Sequence, residues 1–357
     1  MADLGALFDP DPNVIYLDSA TYGLPPRPTV EAMHAALEAW QHGTADWVTD
    51  WDRRGEACRE SFACLTDLPV DNVALIPAAS VGVGLVATTL TDRDEVVIPD
   101  DEFNSVLFPL LVAAQSHGTR VREVPFDRLA DEVTSSTTLV AFSLVQSQSG
   151  RTAAQTEVVD AAERVGARTL IDATHAVPFL RIDARADFVV CSAYKHLLSP
   201  RGVAFLAIAR QRWPETPAWL ANWRSTPNPY TVFYGGPLSQ AASAARYDVS
   251  LAWHAWAGAA TSLGLLVDWR HDGLLEEPRA LARELATSLG LPPPASTLVS
   301  VPVDDAERLR AELQQAGIKA AVRAGGVRLS THVYNTREQV ERATAILARF
   351  VPHPVGR

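Results

Sequence analysis

Cysteine is scarce in this 357-residue chain: Cys58, Cys64 and Cys191 are the only three, too few for a disulfide framework. They form no C-x-x-C pair and no Cys/His spacing of a zinc site, so no metal centre is expected. Charge is sparse too, at 20% of residues, which excludes long solvated tails. Its balance is acidic, a formal −11, and nucleic acid is therefore not an expected partner, because phosphate binding needs clustered Lys and Arg. The opening, Met1 to Asp9, lacks the basic and apolar segments of a secretory leader, and the expected location is the cytoplasm. Repeats and low-complexity tracts are also missing. One stretch, Asn72 to Thr91, carries no charge over twenty residues, which raises the question of a membrane. Pro77 and Ser80 interrupt it, and a buried strand, turn and helix fits better than a span.

What is present is a large apolar fraction, 47%, enough for a sizeable core and for two units. Seven short runs rich in β-branched residues read as strands: Val73–Ile76, Glu95–Ile98, Arg120–Val124, Thr138–Val145, Thr169–Asp172, Asp187–Cys191 and Val203–Ile208. They read as strands covered on both faces. Helical periods lie between them, as in Thr156–Val165, and an earlier stripe joins Val30, Met33, Leu37 and Trp40. This alternation predicts an α/β layered sheet. Arg224–Pro237, with three prolines and two glycines, predicts a loop. After about Leu275 the pattern becomes helix, strand, helix, two short strands and a last helix opened by the capping box Thr336-Arg-Glu-Gln339. Residues 1–274 are thus expected to hold the N-terminal segment and a large unit, and residues 275–357 a smaller α+β unit.

The polar residues cluster at predicted strand ends. Asp172 and His175 follow one run; Ser192, Tyr194 and Lys195 follow the next. In an open α/β sheet these ends form the ligand-binding rim. A lysine that forms an imine and a carboxylate that keeps a pyridine nitrogen protonated are what a pyridoxal cofactor needs. Read alone, Asp172 could equally cap a turn and Lys195 be a solvated lysine. Ala78-Ala79-Ser80-Val81-Gly82-Val83-Gly84 could hold an anion at a helix N-terminus or cap a buried helix. Phe103 could stack on a flat ring or pack in the core. Arg328 could fork onto a carboxylate or sit in an ion pair. The nine tryptophans read as packing or as the lining of an entrance for a bulky substrate.

Taken in order, these segments resemble the class V aminotransferase branch of fold-type I pyridoxal 5′-phosphate (PLP) enzymes. The branch includes cysteine desulfurases, kynureninase, isopenicillin N epimerase-like proteins and a carbon–sulfur lyase. The resemblance runs from Tyr16-Leu-Asp-Ser-Ala20 through Ala79-Ser80, Glu102-Phe103, Ser143 to Gly150, Asp172-Ala-Thr-His175 and Ser192-Ala-Tyr194-Lys195 to Arg328–Thr336. It implies a large domain with a mostly parallel seven-stranded sheet between helices, a smaller C-terminal α+β domain, and a homodimer. It also implies roles. Lys195 would carry PLP as a Schiff base and move the Cα proton; Asp172 would pair with the pyridine nitrogen, and His175 would sit near the ring hydroxyl. Ser80, the Val81 amide, Ser192 and Tyr194 would hold phosphate, and Phe103 would stack on the ring. Ser147 would contact the cofactor, and Ser250 would substitute for a threonine lent across a dimer interface. Arg328 would bind the carboxylate of an amino-acid-like substrate, with Tyr22 as a further substrate contact.

The Asp-x-x-His pattern and Tyr194 resemble kynureninase more than the desulfurases. No cysteine follows Cys191, so a desulfurase that passes sulfur to its own mobile cysteine is not expected. The expected activity is β-elimination at an amino acid. Transamination and epimerisation use the same residues, and a binding protein without catalysis is the reading from a different class.

Overall fold

The computed structural model describes residues 4–323 and 325–351; Met1–Asp3 of the acidic start, Ala324 and the last six residues of the C-terminal region lie outside the described residues. The chain opens with β1 (Ile15–Tyr16), α1 (Arg27–His42) and α2 (Arg54–Thr66). There follow β2 (Val73–Ile76), α3 (Ala79–Ala87), β3 (Glu95–Pro99), α4 (Asn104–His117), β4 (Arg120–Val124) and β5 (Leu139–Ser143). Next come α5 (Gln155–Val165), β6 (Arg168–Asp172), β7 (Phe188–Ser192), β8 (Ala204–Ile208) and α6 (Trp253–His271). The C-terminal part is α7 (Glu276–Ser288), β9 (Leu298–Pro302), α8 (Ala306–Gln315), β10 (Ile318–Lys319), β11 (Ala321–Arg323), β12 (Gly326–Ser330) and α9 (Arg337–Leu347).

All seven expected runs enter one sheet, in the order β2-β8-β7-β6-β5-β3-β4. Only β8 runs against its neighbours β2 and β7; the other pairs are parallel. Alternate residues point to opposite faces, and both faces are covered. Val97, Val140, Phe142, Ile171 and Val189 join one core, whereas Val96, Leu139, Ala141, Leu170 and Val190 join the other. Phe142 is fully buried, so truncating it to alanine costs about 3–5 kcal/mol by the usual cavity rule. Strand β4 departs from the expected two-sided burial: it lies at the sheet edge and leaves Arg120 and Glu123 exposed. The uncharged stretch is β2 followed by α3, and among the described residues no helix is long and apolar enough to cross a membrane. Gly82 lets α3 approach the sheet, since a Cβ there would come within 2.8 Å of Val190 and 2.9 Å of Ile76.

The free edge of β2 is capped. Asp248 accepts the Leu75 amide at 2.8 Å while Val249 donates to the Leu75 carbonyl. Arg59 and Arg224 neutralise that buried aspartate. This covers an edge that would otherwise be open to pairing.

A third core is formed by Leu281, Leu285, Val299, Val301, Leu309, Leu313, Val327, Leu329, Val340 and Leu347. Thr336 caps α9 and exchanges bonds with Gln339, as its sequence predicts. Ile15 and Leu17 pack into this same core, and β1 pairs in parallel with β10. Ile15 and Leu17 therefore side with the C-terminal unit, although the sequence grouped them with the large one, while Tyr16 between them packs into the first core. The pairing joins positions 303 residues apart, and a two-residue strand has no local signature.

Candidate active site

Parallel strands β5, β6 and β7 end side by side at Ser143, Asp172 and Ser192, and the register sets Ser143 opposite Asp172 and Asp172 opposite Val190. Beyond β7 the chain turns back tightly, with the Ser199 amide bonded to the Ala193 carbonyl and Leu198 at a φ of 52°. This turn carries Lys195 onto the rim. Gly23 seals it from the other side: its amide donates to the Tyr194 carbonyl at 3.0 Å, and a Cβ there would meet the Lys195 carbonyl at 2.2 Å. No side chain fits there.

Lys195 is 6% exposed, and its Nζ lies 2.9 Å from His175 Nε2 and 5.3 Å from the centre of the Phe103 ring. Burial drives its amine down to about 8; Asp172 opposes that shift, while Arg328 adds to it. Asp172 Oδ1 accepts the Thr174 amide at 2.8 Å, and Oδ2 has no donor among the described residues. Burial raises the Asp172 carboxyl, with the Thr174 bonds and Lys195 pulling the other way. His175 is held well below the ordinary imidazole range, first by burial and then by the charge of Lys195, so it is neutral.

The other expected residues divide. Ser192 stands at the end of β7, where its Oγ takes the Ala79 amide at 3.4 Å, so the N-terminus of α3 faces the rim. The Ser80 amide has no acceptor among the described residues. The Val81 amide, expected to hold phosphate, is instead taken by the Ala78 carbonyl at 3.0 Å in a tight first turn. Ser80 thus presents an open amide donor at this end. Tyr194 stacks under Arg201, whose Cζ is 4.3 Å from the ring centre. Ser147 is buried and reaches Arg328, its carbonyl accepting from Nη1 at 2.7 Å. Arg328, on β12, is also held by Thr21 at 2.9 Å and Asp18 at 3.5 Å, and its Nε has no partner among the described residues. Tyr22 is 45% exposed beside that group. Ser250 is exposed and makes no side-chain hydrogen bond among the described residues, so within one chain it is not part of this rim.

Several partners escaped the sequence reading. Glu102 is buried, and its carboxylate accepts from the Phe103 amide at 2.6 Å and from the Ser143 amide at 2.7 Å and hydroxyl at 2.5 Å. It ties the aromatic wall to β5. Burial lifts it to about 7 against those bonds, and Asp172 adds to the lift. Its place directly before Phe103 was the available signal. Asp18 and His332 fall inside the matching segments and His196 follows Lys195, but the sequence assigned no role to them or to Thr21. Trp47, Trp51, Trp223 and Trp253 pack on one another, on Tyr230 and on Phe233, with the Trp253 Nε1 bonded to Asp52. These four are packing residues.

The rim fits PLP. An aldehyde needs an amine with a depressed pKa, a pyridine nitrogen a carboxylate with a free oxygen, a flat ring a wall, and a phosphate an open helix N-terminus. Lys195, Asp172, Phe103 and the Ser80 turn supply these in turn. Fold and rim together place the protein in fold type I of the PLP-dependent enzymes.

The description "Aminotransferase class-V" matches residues 15–222, more than half of the sequence. The chain belongs to the class-V aminotransferase family. It is 29% identical over 213 residues to a probable cysteine desulfurase of Aeropyrum pernix, covering 54% of this chain and 52% of that protein. It is 29% identical over 241 residues to the isopenicillin N epimerase of Streptomyces clavuligerus, covering 61% and 59%. These matches thus span little more than half the length of the curated relatives. Among solved structures, the complex between the cystine C–S lyase C-DES and its reaction product cysteine persulfide superposes with a TM-score of 0.82 at 20% identity, over 94% of this chain and 98% of that one. The cysteine desulfurase from Thermococcus onnurineus NA1 gives 0.79 at 20% identity, over 94% of each chain. At this identity the likeness is one of fold.

Proposed function

We propose that this protein is a PLP-dependent enzyme that removes the Cα proton of an amino acid and eliminates the substituent on Cβ, carbon–sulfur cleavage being the favoured case. The observation that carries the reading is the buried Lys195 amine, set at the rim among Asp172, His175 and Phe103. When bound, PLP supplies an aldehyde that condenses with amines and a ring that accepts electrons from the bond broken at Cα. Lys195, Asp172, Phe103, Ser192 and the Ser80 amide would hold it.

Each side chain then has a task. With a pKa of about 8, about a tenth of Lys195 is neutral at pH 7, enough to attack an aldehyde and to take a proton at Cα. Neutral His175 keeps Nζ in place without adding a charge. A cation facing Asp172 would hold that carboxylate ionised in spite of its burial. Arg328 binds the substrate carboxylate, with Nε as its unengaged donor and Thr21 and Ser147 fixing the fork. Once the proton is on Lys195, the Cβ group departs with its bonding pair. Sulfur leaves as a small molecule: Cys58 and Cys191 are buried, the exposed Cys64 stands on α2 and not on a segment of the rim, and no cysteine follows Cys191. Cysteine and cystine are the first substrates to test, in view of the activities named for the relatives.

The reading includes a cytoplasmic homodimer. Phe233, Tyr234 and Leu238 expose 47%, 95% and 66% of their surface on one loop, an apolar area that a second copy would cover. Sedimentation tests that part.

The chemistry is tested by adding PLP, fixing with borohydride and mapping the label. Lys195 and Lys319 are the only lysines in the chain; the label is expected on Lys195 alone. Unreduced, PLP-loaded protein incubated with cysteine or cystine should release pyruvate and ammonia. Conversion of the cofactor to its amine form would indicate transamination, a changed configuration at Cα epimerisation, and no reaction with any amino acid a binding protein. Absence of label on Lys195 overturns the reading.

A further inference from the structure

Behind Lys195 lies a line of three buried imidazoles. His175 Nε2 touches the lysine amine at 2.9 Å, and His175 Nδ1 lies 3.5 Å from His196 Nε2, the outer limit of a hydrogen bond. The His196 ring is wedged in place: it stacks on His332 at 6.0 Å and 14°, with Phe179 edge-on at 5.5 Å. His332 is locked in one neutral form, because its Nδ1 accepts the Val333 amide at 2.9 Å and its Nε2 donates to the His196 carbonyl at 3.0 Å. One ring nitrogen is left over: His196 Nδ1 is buried and has no partner among the described residues. A buried polar atom without a partner is costly enough to call for an explanation.

We propose that His196 is a positioning residue acting through His175 on Lys195, the two neutral imidazoles exchanging tautomers as the lysine amine gains or loses a proton. With Lys195 as ammonium, an N–H of Nζ donates to His175 Nε2, the His175 Nδ1–H donates to His196 Nε2, and the His196 proton sits on Nδ1. With Lys195 neutral, its proton has moved to His175 Nε2, the His175 proton to His196 Nε2, and the proton of His196 Nδ1 has passed to water. One proton leaves in total, and neither imidazole carries a charge before or after. That economy matters here, because burial holds all three imidazoles below their ordinary range, His332 at about 4. A relay through an imidazolium would be unfavourable; a tautomer exchange is not. The other groups bearing on the lysine are Asp172 of β6, Cys191 of β7, Arg323 of β11 and Arg328 of β12, and His196 further feels His332 and Arg328.

The inference rests on Lys195 being the reactive amine, yet its test needs no cofactor, so failure to bind PLP would defeat only the earlier reading. The full-length chain, freed of aldehydes, is labelled with trace acetic anhydride from pH 6 to 10, and acetylation at Lys195 is read against exposed Lys319 by mass spectrometry. Acetylation follows the neutral amine, so its midpoint gives the lysine's titration. The arrangement is completed by a water at His196 Nδ1, which accepts the Nδ1–H while the lysine is an ammonium, takes up the released proton, and donates to the bare nitrogen afterwards, so the wild-type line strands no polar atom in either form. In His196→Phe the His175 Nδ1–H of the ammonium arrangement loses its acceptor, and a stranded buried donor is worse tolerated than a stranded acceptor. The midpoint is expected to fall by about one pH unit, making Lys195 several-fold more reactive at pH 7. His196→Gln, whose amide oxygen can accept that N–H, should restore most of the wild-type midpoint. A role confined to packing would move neither value. Nitrogen-15 spectra of the unsubstituted protein should show both imidazoles changing tautomer over the same pH range. A folded Phe variant with an unchanged or raised midpoint, a Gln variant no closer to wild type than Phe, or tautomers that stay fixed across the titration would overturn the proposal.

Discussion

Replacing Lys195 by methionine should make the cofactor-free protein more stable at neutral pH while abolishing its chemistry. The amine's fall from 10.5 to about 8 reflects mainly its burial, and at about 1.4 kcal/mol per tenfold change it amounts to roughly 3 kcal/mol against the ammonium. Methionine fills a similar volume with no charge to desolvate. Loss of the Nζ–His175 contact gives back about 1 kcal/mol, so a net gain of about 2 kcal/mol is expected at pH 7. The pH dependence identifies the cause. Between pH 8 and 10.5 the unfolded chain still binds the lysine proton and the native protein does not, so native stability rises with pH across that window. The advantage of Lys195→Met should therefore shrink as pH climbs from 8 toward 10. Urea titrations of both proteins at pH 7, 8.5 and 10 measure it. A wild-type protein at least as stable as the variant at pH 7, or a gap that does not change with pH, would refute the reasoning.

Other substitutions probe the rest of the rim. Asp172→Asn should leave PLP attached to Lys195 and lower turnover about 10- to 100-fold, the worth of a charge-assisted hydrogen bond of about 1.5–3 kcal/mol; unchanged steady-state rates would remove Asp172 from the mechanism. Arg328→Lys should raise KM about 30-fold with a smaller change in kcat, because one ammonium cannot span Thr21, Ser147 and a carboxylate together. Glu102 is raised from 4.5 to about 7, so the native protein holds a proton that the unfolded chain has lost between those values, and stability should fall as pH rises from 4.5 to 7. Urea titrations of Glu102→Gln should show that slope flattened by about 3 kcal/mol across the window.

Much of this protein was legible in its sequence because it is local. The strands of the central sheet are short apolar runs, and a run buried on both faces announces itself in composition. Asp172 and Lys195 stood out because each follows such a run by a few residues, and strand ends of an α/β sheet form a rim whatever the remaining topology. What tertiary structure alone decided are contacts between positions far apart in the chain. Ile15 beside Ile318, Thr21 and Ser147 on Arg328, and His332 under His196 join segments 136 to 307 residues apart, and no periodicity encodes such pairings. Local geometry also had a say: the Val81 amide is turned onto the Ala78 carbonyl, which leaves Ser80 as the donor. Desolvation explains the remainder. A sequence names a lysine, a glutamate and three histidines, but only the water excluded around them shifts their protons to the values that chemistry at this rim requires.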